Sequence, residues 1–499
     1  MTDTQAPVSR RGLHKGKAWR EKRSVHGNVP LHSYNRSSRP FFLVACLFVK
    51  TSVLATGLVI TPSVESVEDY PSGAPIPSAQ DAPSSKDFSM ISANWLNRVI
   101  VTEYRRSHPQ EENVALFLDD AARYFKNAQE QVRVQLNARG EELERMGCTD
   151  PAFQLMAGIV QKDAKKKENL LRLAIAGFPR TGYARVLIFM AATNLGKSLQ
   201  DRKGEAQEIS EADRIALQAL RNGLDAESFH ENEITALRLR LCSESTESLL
   251  RRRPLEVVEV FKQAANLPAW IRELGQGRGY ARAAWVARTD GWVSEVTEAG
   301  WEGWRQNLAK AREHFTKAWE LNPKDPAAAA YMIEVTMGDT GNKQEMRRWF
   351  DRAVAAEMDC WEAYRSLMWA LRPRWHGSHE EMLQFGDECL RTGRFDTCVP
   401  HYYQMIVDDI SEEERDHRTI YQRPEIIRNY KLALTRYLET PDMPVTASYV
   451  HTTAAILDYQ DGNLAGARTQ MVAIQFQPSR TVGAGLREDI PKMMKALFP

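Results

Sequence analysis

From about residue 90 onward, apolar residues recur at intervals of three and four along the chain. Ala115-Leu116-Phe117-Leu118 is followed by Ala121-Ala122 and Tyr124-Phe125, and Ile215-Ala216-Leu217 by Leu220. Ile234, Ala236 and Leu237 lead in the same way to Leu239 and Leu241. That spacing gathers the apolar side chains on one stripe of a helix, and no stretch shows the strict alternation of a half-buried strand. Gly140, Pro151, Pro179, Gly223, Pro254, Pro268 and Gly275 are expected to cut the pattern into helices of about 10–20 residues. The predicted fold class is all-α.

The tightest pattern is Ala311-x3-Phe315-x2-Ala318-x2-Leu321-x-Pro323. Small Ala311 and Ala318 let a neighbouring helix approach, Phe315 fills the gap between them, Leu321 closes the turn and Pro323 stops the helix. Position by position this resembles the second helix and terminal proline of a tetratricopeptide repeat. Phe350 and Ala353 follow Phe315 and Ala318 by 35 residues, against a repeat period of about 34. Pro326–Met332 then begins the next first helix, Gly338–Gly341 its turn, and Tyr364, Leu367, Met368 and Leu371 a third first helix. Farther on, Ala454-x3-Asp458-Tyr459-x2-Gly462-Asn463-x-Ala465 repeats the helix–Gly–helix punctuation. The resemblance implies an α-solenoid of antiparallel helix pairs, an architecture whose concave face binds partners.

Two stretches depart from a plain repeat: TDGWVSEVTEAGWEGW, residues 289–304, and the Arg-Pro-Arg-Trp-His-Gly-Ser segment after Leu371. Together with Ala284-Trp285-x-Ala287-Arg288 and Pro373-Arg374-Trp375-x-Gly377-Ser378, they are similar to a family of bacterial proteins of unknown function with a degenerate tetratricopeptide-like body. The similarity covers about residues 275–410. Glycine is usual in that family where His376 stands here. The resemblance implies an architecture and no activity.

Charge adds an address. The 499 residues carry 66 Lys plus Arg against 65 Asp plus Glu, a net +1. That balance excludes a whole-chain polycation, so no nucleic-acid partner is expected. Residues 1–40 nevertheless hold +7, and residues 61–499 hold −7. Between them, residues 41–60 read FFLVACLFVKTSVLATGLVI, with Lys50 the one charge. Such a stretch is long enough for the ~30 Å hydrocarbon layer, and its basic flank keeps the amino terminus cytoplasmic and exports the body. Lys50 costs about 2.5–3.5 kcal/mol at mid-membrane, which the other apolar residues offset. The segment reads as a transmembrane or signal-anchor helix, or else as a cleaved signal with Phe41–Val49 as its apolar core and Val53-Leu54-Ala55 as its cleavage site. The first reading anchors the body in the bacterial periplasm or cell envelope; the second secretes it. Cys46 lies inside the span, so no lipid-attachment cysteine follows it. Residues 61–90, with Pro62, Pro71, Pro75, Pro77 and Pro83, are expected to form a solvated stalk. The remaining divisions are an irregular helical region at 91–275, a tetratricopeptide-like core at 276–410 and carboxy-terminal helical repeats at 411–499.

Candidate chemistry is sparse. Gly196-Lys197-Ser198 fits a relaxed phosphate loop but lacks the Gly-rich turn between strand and helix, and reads better as a helix end at Gly196. His376 and His379 are weak metal candidates beside Glu380 and Glu381, without the two-histidine zincin spacing. Ser378 followed by Glu381 looks like a capping box. Cys389 and Cys398 either pair in an exported body or are small buried residues, with Cys148, Cys242 and Cys360 in the core. No nucleophile set and no cofactor motif is visible. Ten of the twelve tryptophans fall in residues 270–375. They pin long loops to helices or form a stacking groove with Arg372 and Arg374 at its rim. The function these features point to is a membrane-anchored helical-repeat scaffold holding a protein or peptide partner on its concave face, without catalysis. The alternative is an envelope enzyme or carbohydrate-binding protein using the 370–381 turn. Arg372, Arg374, Trp375 and Gly377 are then partner-binding residues or parts of a structural turn.

Overall fold

A computed structural model describes residues 71, 73–79 and 81–85 and, from residue 94, all but 125–129, 227–233, 235–236, 239–240, 290–292, 376, 442 and 499. Among the described residues every regular element is helical, in keeping with the apolar spacing. Counting helices of eight residues or more, the amino-terminal half runs α1 (Glu112–Tyr124), α2 (Glu130–Arg145), α3 (Pro151–Val160), α4 (Ala164–Gly177), α5 (Val186–Asp201), α6 (Ala206–Ala226), α7 (Glu244–Arg252) and α8 (Pro254–Gln263). Next come α9 (Ala269–Arg288), α10 (Glu298–Leu321), α11 (Ala327–Asp339), α12 (Lys343–Ala356), α13 (Trp361–Ala370) and α14 (His379–Arg391). The chain closes with α15 (His401–Glu413), α16 (Pro424–Leu438), α17 (Ala447–Gln460), α18 (Leu464–Ala473) and α19 (Ile490–Leu497).

Local chemistry sets these starts. Pro151 and Pro254 occupy the first turn of α3 and α8, where a missing N–H is harmless. Asp150, Asp163, Ser243, Thr297, Asn342 and Ser378 each cap a helix by accepting a first-turn N–H. Gly140, Gly223 and Gly275, expected as breakers, lie instead inside α2, α6 and α9. A mid-helix glycine costs only about 1 kcal/mol relative to alanine, which packing readily offsets. In α9 the glycine is required, since a Cβ on Gly275 would lie 2.3 Å from the Phe261 ring.

Short connections turn consecutive helices back on each other, pairing α3 with α4, α5 with α6, α8 with α9, α9 with α10, α11 with α12 and α17 with α18. Helix α11 also touches α10 and α13, so the first helices of successive pairs share a layer. One apolar core runs through the whole assembly, from Ile76 to Leu497. The divisions expected at 275/276 and 410/411 fall inside α9 and α15 and do not separate folding units.

Ala311, Phe315, Ala318, Phe350 and Ala353 are all buried. Phe315 stacks on Tyr331 of α11 with centroids 5.5 Å apart, and Phe350 meets Tyr364 and Phe385 edge-on at 5.1 and 5.3 Å. Leu321 departs from the expectation. It is 55% exposed, because α10 ends on it and no further turn covers its side chain. Pro323 sits in the exposed turn that follows and stops the helix without packing. Much of the 289–304 insertion is not loop at all: it forms the opening turns of α10, which is 24 residues long.

Residues 1–40 and the apolar segment 41–60 lie outside the described residues. Among those described, no helix is long and apolar enough to cross a membrane. The Pro-rich segment 61–90 requires a correction. Its described part is docked on the helices, with Pro71, Ile76 and Ser84 buried, and is not a solvated stalk.

Equilibrium denaturation separates the buried Phe315 from the exposed Leu321. Phe315→Ala should lower stability by about 3–5 kcal/mol, whereas Leu321→Ala should change it by no more than about 0.5 kcal/mol. Equal losses would contradict the packing described.

Candidate functional site

The turn after α13 is built from Pro373–Trp375 as one 3-10 turn, with Ser378 capping α14 through the Glu381 N–H at 3.1 Å. Glycine is obligatory at 377, where a Cβ would sit 1.9 Å from the Leu371 carbonyl oxygen. The Arg372 and Arg374 guanidiniums stack on the Trp369 indole, 4.3 and 4.5 Å from its centre. Both then engage α15: Arg372 pairs with Asp409, and Arg374 with Glu413 at 2.8 Å. His379 Nε2 faces the other Glu413 oxygen at 3.3 Å. Burial, together with the charge of Arg372, pushes the Arg374 guanidinium below its ordinary value. Burial pushes Glu413 up, but His379 and the two arginines outweigh it and hold the carboxyl below its usual range. The hydrogen bond to Glu413 in turn raises His379. Trp375 leans edge-on against Trp285 of α9 with centroids 6.1 Å apart.

These contacts make the turn a clamp joining α9, α13, α14 and α15. Arg372 and Arg374 are therefore not the rim of an open groove, because their charges are already engaged by Asp409 and Glu413. His376 lies outside the described residues. Among the described residues no three His, Cys, Asp or Glu gather as a metal site.

Most of the other tryptophans also bind helix to helix. Arg288 lies 5.8, 5.6 and 5.9 Å from the rings of Trp285, Trp301 and Trp304, and the Trp304 indole N–H donates to the Gly338 carbonyl at 2.9 Å. Arg352 is held between Trp319 and Trp349 at 4.1 and 4.2 Å. Gly196-Lys197-Ser198 lies within α5, which continues to Asp201, so it is neither a phosphate loop nor a helix end. The five described cysteines are free, with Cys389 and Cys360 buried and Cys398 exposed. The disulfide considered between Cys389 and Cys398 is not formed, and Cys148 and Cys242 are only half-buried.

Two arrangements escaped the sequence. In the first, buried ion pairs tie the stretch before α8 to the helices that follow it. Glu247 of α7 faces Arg278 of α9 at 3.1 Å and also pairs with Arg282. Arg238 reaches Asp325 at 3.1 Å and Glu357 at 3.8 Å, just before α11 and just after α12. The one advance signal was a pair of arginines, 278 and 282, in a glycine- and alanine-rich helix.

The second arrangement is a seam between α12 and α14 that holds a non-helical stretch of main chain, turned where the Ala82 N–H donates to the Ala79 carbonyl. Arg347 of α12 is 1% exposed. Its Nε donates to Asp351 Oδ1 at 2.8 Å and its Nη1 faces Glu388 of α14 at 2.9 Å. Its Nη2 donates to the carbonyl of Ala74, 273 residues upstream, at 2.8 Å. Asp351 Oδ2 accepts the Ala74 N–H at 3.0 Å. Farther along, the Met358 N–H donates to the Pro83 carbonyl at 2.7 Å, and Asp359 accepts both the N–H and the hydroxyl of Ser85 at 2.6 Å each. Arg394 donates to the Ala79 carbonyl between these ends. Ile76 is the buried apolar anchor, and Gly73 passes so close that a Cβ there would lie 2.2 Å from Arg347 Nε.

No protein-family model and no curated protein matches this sequence. Among solved structures the chain is similar to a monomeric mutant of IFIT1 with Gppp-AAAA and to a second monomeric IFIT1 mutant with m7Gppp-AAAA. In each case the identity is 14%, the TM-score is 0.29, and the match covers 81% of this chain and 76% of that chain. A superposition this loose leaves both fold and ligand to be read from the helices themselves.

The clamp carries a pH dependence. The folded-state pKa of His379 is the raised one, so its contribution is complete below the unfolded value of about 6.5 and is lost as pH rises through the folded value. An NMR titration should place the His379 midpoint above that of a free histidine, and Glu413→Gln should lower it. A midpoint indifferent to that substitution would contradict the pairing.

Proposed function

We propose that this protein is a tetratricopeptide-like α-solenoid scaffold that binds a segment of a protein partner by its main chain along the seam between α12 and α14. One observation carries the reading: the seam already holds residues 74–85 through their backbone. Ala74 is gripped on both N–H and C=O, Ala79 and Pro83 on their carbonyls, and Ser85 on its N–H. Main-chain recognition tolerates many sequences, with affinity coming from the backbone hydrogen bonds and specificity from a seated side chain. Here Ile76 supplies that side chain. Prolines suit such a segment, because a chain with fixed φ loses less entropy on docking.

The chemistry favours protein over nucleic acid. Asp351 and Asp359 accept N–H groups at two points of the seam, and their charges repel phosphates. No catalytic step enters this reading, since the Arg372–Ser378 turn serves as a clamp between helices. The partner site is assigned to the seam of α12 and α14 rather than to the concave face expected of the repeat, because among the described residues only the seam holds a segment of main chain through its backbone. The basic tail and apolar segment at 1–60 support an anchored or exported setting, with the scaffold displayed at the cell envelope.

The test is competition with a fluorescent peptide of residues 71–85. The tethered segment acts at a high effective concentration, so wild-type protein should not bind the peptide measurably. Gly73→Val, which prevents the protein's own segment from seating, should open the seam and give saturable binding. Adding Arg347→Leu to that variant should abolish it. Failure of the Gly73→Val protein to bind would contradict the reading.

A further inference from the structure

The segment seated on the seam is held by backbone groups, yet a few of its positions leave little choice of side chain. Gly73 is the first. A Cβ there would lie 2.2 Å from Arg347 Nε and 2.6 Å from Arg347 Cγ. An arginine at a surface would swing aside, but this one is buried, with Nε, Nη1 and Nη2 held by Asp351, Glu388 and the Ala74 carbonyl. Moving it would break a buried set of charged contacts, so a side chain at this position is excluded.

Three residues on, Ile76 enters the common core and is 7% exposed, so an aliphatic side chain there gains the full benefit of leaving water. At the far end, Ser85 gives its N–H to Asp359 Oδ1 and its hydroxyl to Oδ2, at 2.6 Å each. A residue without a hydroxyl would leave Oδ2 short of that donor, and a bond to a charged acceptor is among the stronger ones. Ser84 beside it is buried, which suits a small side chain. The positions between behave differently. Ala74, Ala79 and Pro83 are exposed, and they meet the seam through N–H or carbonyl groups that every residue or nearly every residue carries. Their side chains add no requirement. The seam therefore combines a main-chain grip with a steric filter at one end, an apolar seat next to it and a hydroxyl test at the other end.

We infer, resting on the seam reading above, that the seam selects partner segments in which a glycine is followed three positions later by an aliphatic residue, with a serine nine positions beyond it. Arg347 enforces the glycine and Asp359 the serine, and both are specificity-determining residues of the scaffold.

The test is fluorescence anisotropy of labelled 71–85 peptides against the full-length Gly73→Val chain, whose own segment is unseated. Within the peptide, Gly73→Ala and Ile76→Ser should each weaken binding by about tenfold or more, and Ser85→Ala by about fivefold. Ala74→Gln and Ala79→Gln in the peptide should stay within about twofold of the unchanged sequence. Adding Asp359→Ala to the protein should remove the discrimination at Ser85 alone: the unchanged and Ser85→Ala peptides then bind alike, while the Gly73→Ala peptide stays weak. If the Gly73→Val protein does not fold, Ile76→Asp in the protein unseats the segment in its place. Binding of the unchanged peptide that is indifferent to Gly73→Ala and Ile76→Ser overturns this inference and leaves the seam reading standing. No binding of the unchanged peptide overturns both.

Discussion

A guanidinium removed from water must be surrounded by acceptors, and Arg347 is the place where this protein meets that demand. Leaving such a group short of a partner costs about 3–5 kcal/mol. Two of its acceptors, Asp351 and Glu388, come from the second helices α12 and α14. The third is the Ala74 carbonyl, from a segment that precedes the first helix. One buried cation therefore ties two adjacent helix pairs to a distant piece of main chain. The surface that results is suited to polypeptide main chain, because its remaining contacts, from Asp359, Met358 and Arg394, also reach backbone atoms.

Around this seam the helices are locked by a second set of cation contacts. Arg352 lies between two indoles, Arg288 among three, and Arg372 and Arg374 cover Trp369 while pairing with α15. Such pairs join electrostatic attraction to apolar burial. The Arg288 and the Arg372 and Arg374 contacts lie where a plain repeat is interrupted, whereas Arg352 joins α10 to α12 within the regular units. The inserted segments are thus stitched down rather than displayed. The ion pairs of Glu247 with α9 and of Arg238 with Asp325 and Glu357 have the same character, with charged residues fixing how parts of one continuous core meet.

The helical class and the Ala311–Phe315–Ala318 seam were legible because both are side-chain periodicities, and burial acts on side chains. Leu321 misled because a repeat motif says nothing about where the neighbouring helix stops. The docked segment was hidden for a deeper reason. Its Pro, Ser and Ala residues look solvated when counted by composition, but the groups that hold it are carbonyls and N–H groups common to every residue. Arg347 and Asp351, four apart, resembled an ordinary solvent-facing helix pair, and only the fold reveals a third partner. The Arg372–Ser378 signature was visible as a special turn, and Gly377 shows why. Its role as a clamp depended on Asp409 and Glu413, which lie more than thirty residues downstream and carry no motif.

The central claim is that the described residues of 74–85 are held by their backbone on α12, on Met358 and Asp359 that follow it, and on Arg394 beyond α14. Native-state hydrogen exchange of the full chain reads this directly at two amides, Ala74 and Met358, whose partners are Asp351 and the Pro83 carbonyl. The account predicts marked slowing at both sites, and loss of protection at both together when Asp359 is changed to Ala and the segment lifts. Exchange of Ala74 and Met358 at the rates of an unstructured peptide in the wild-type protein would contradict it.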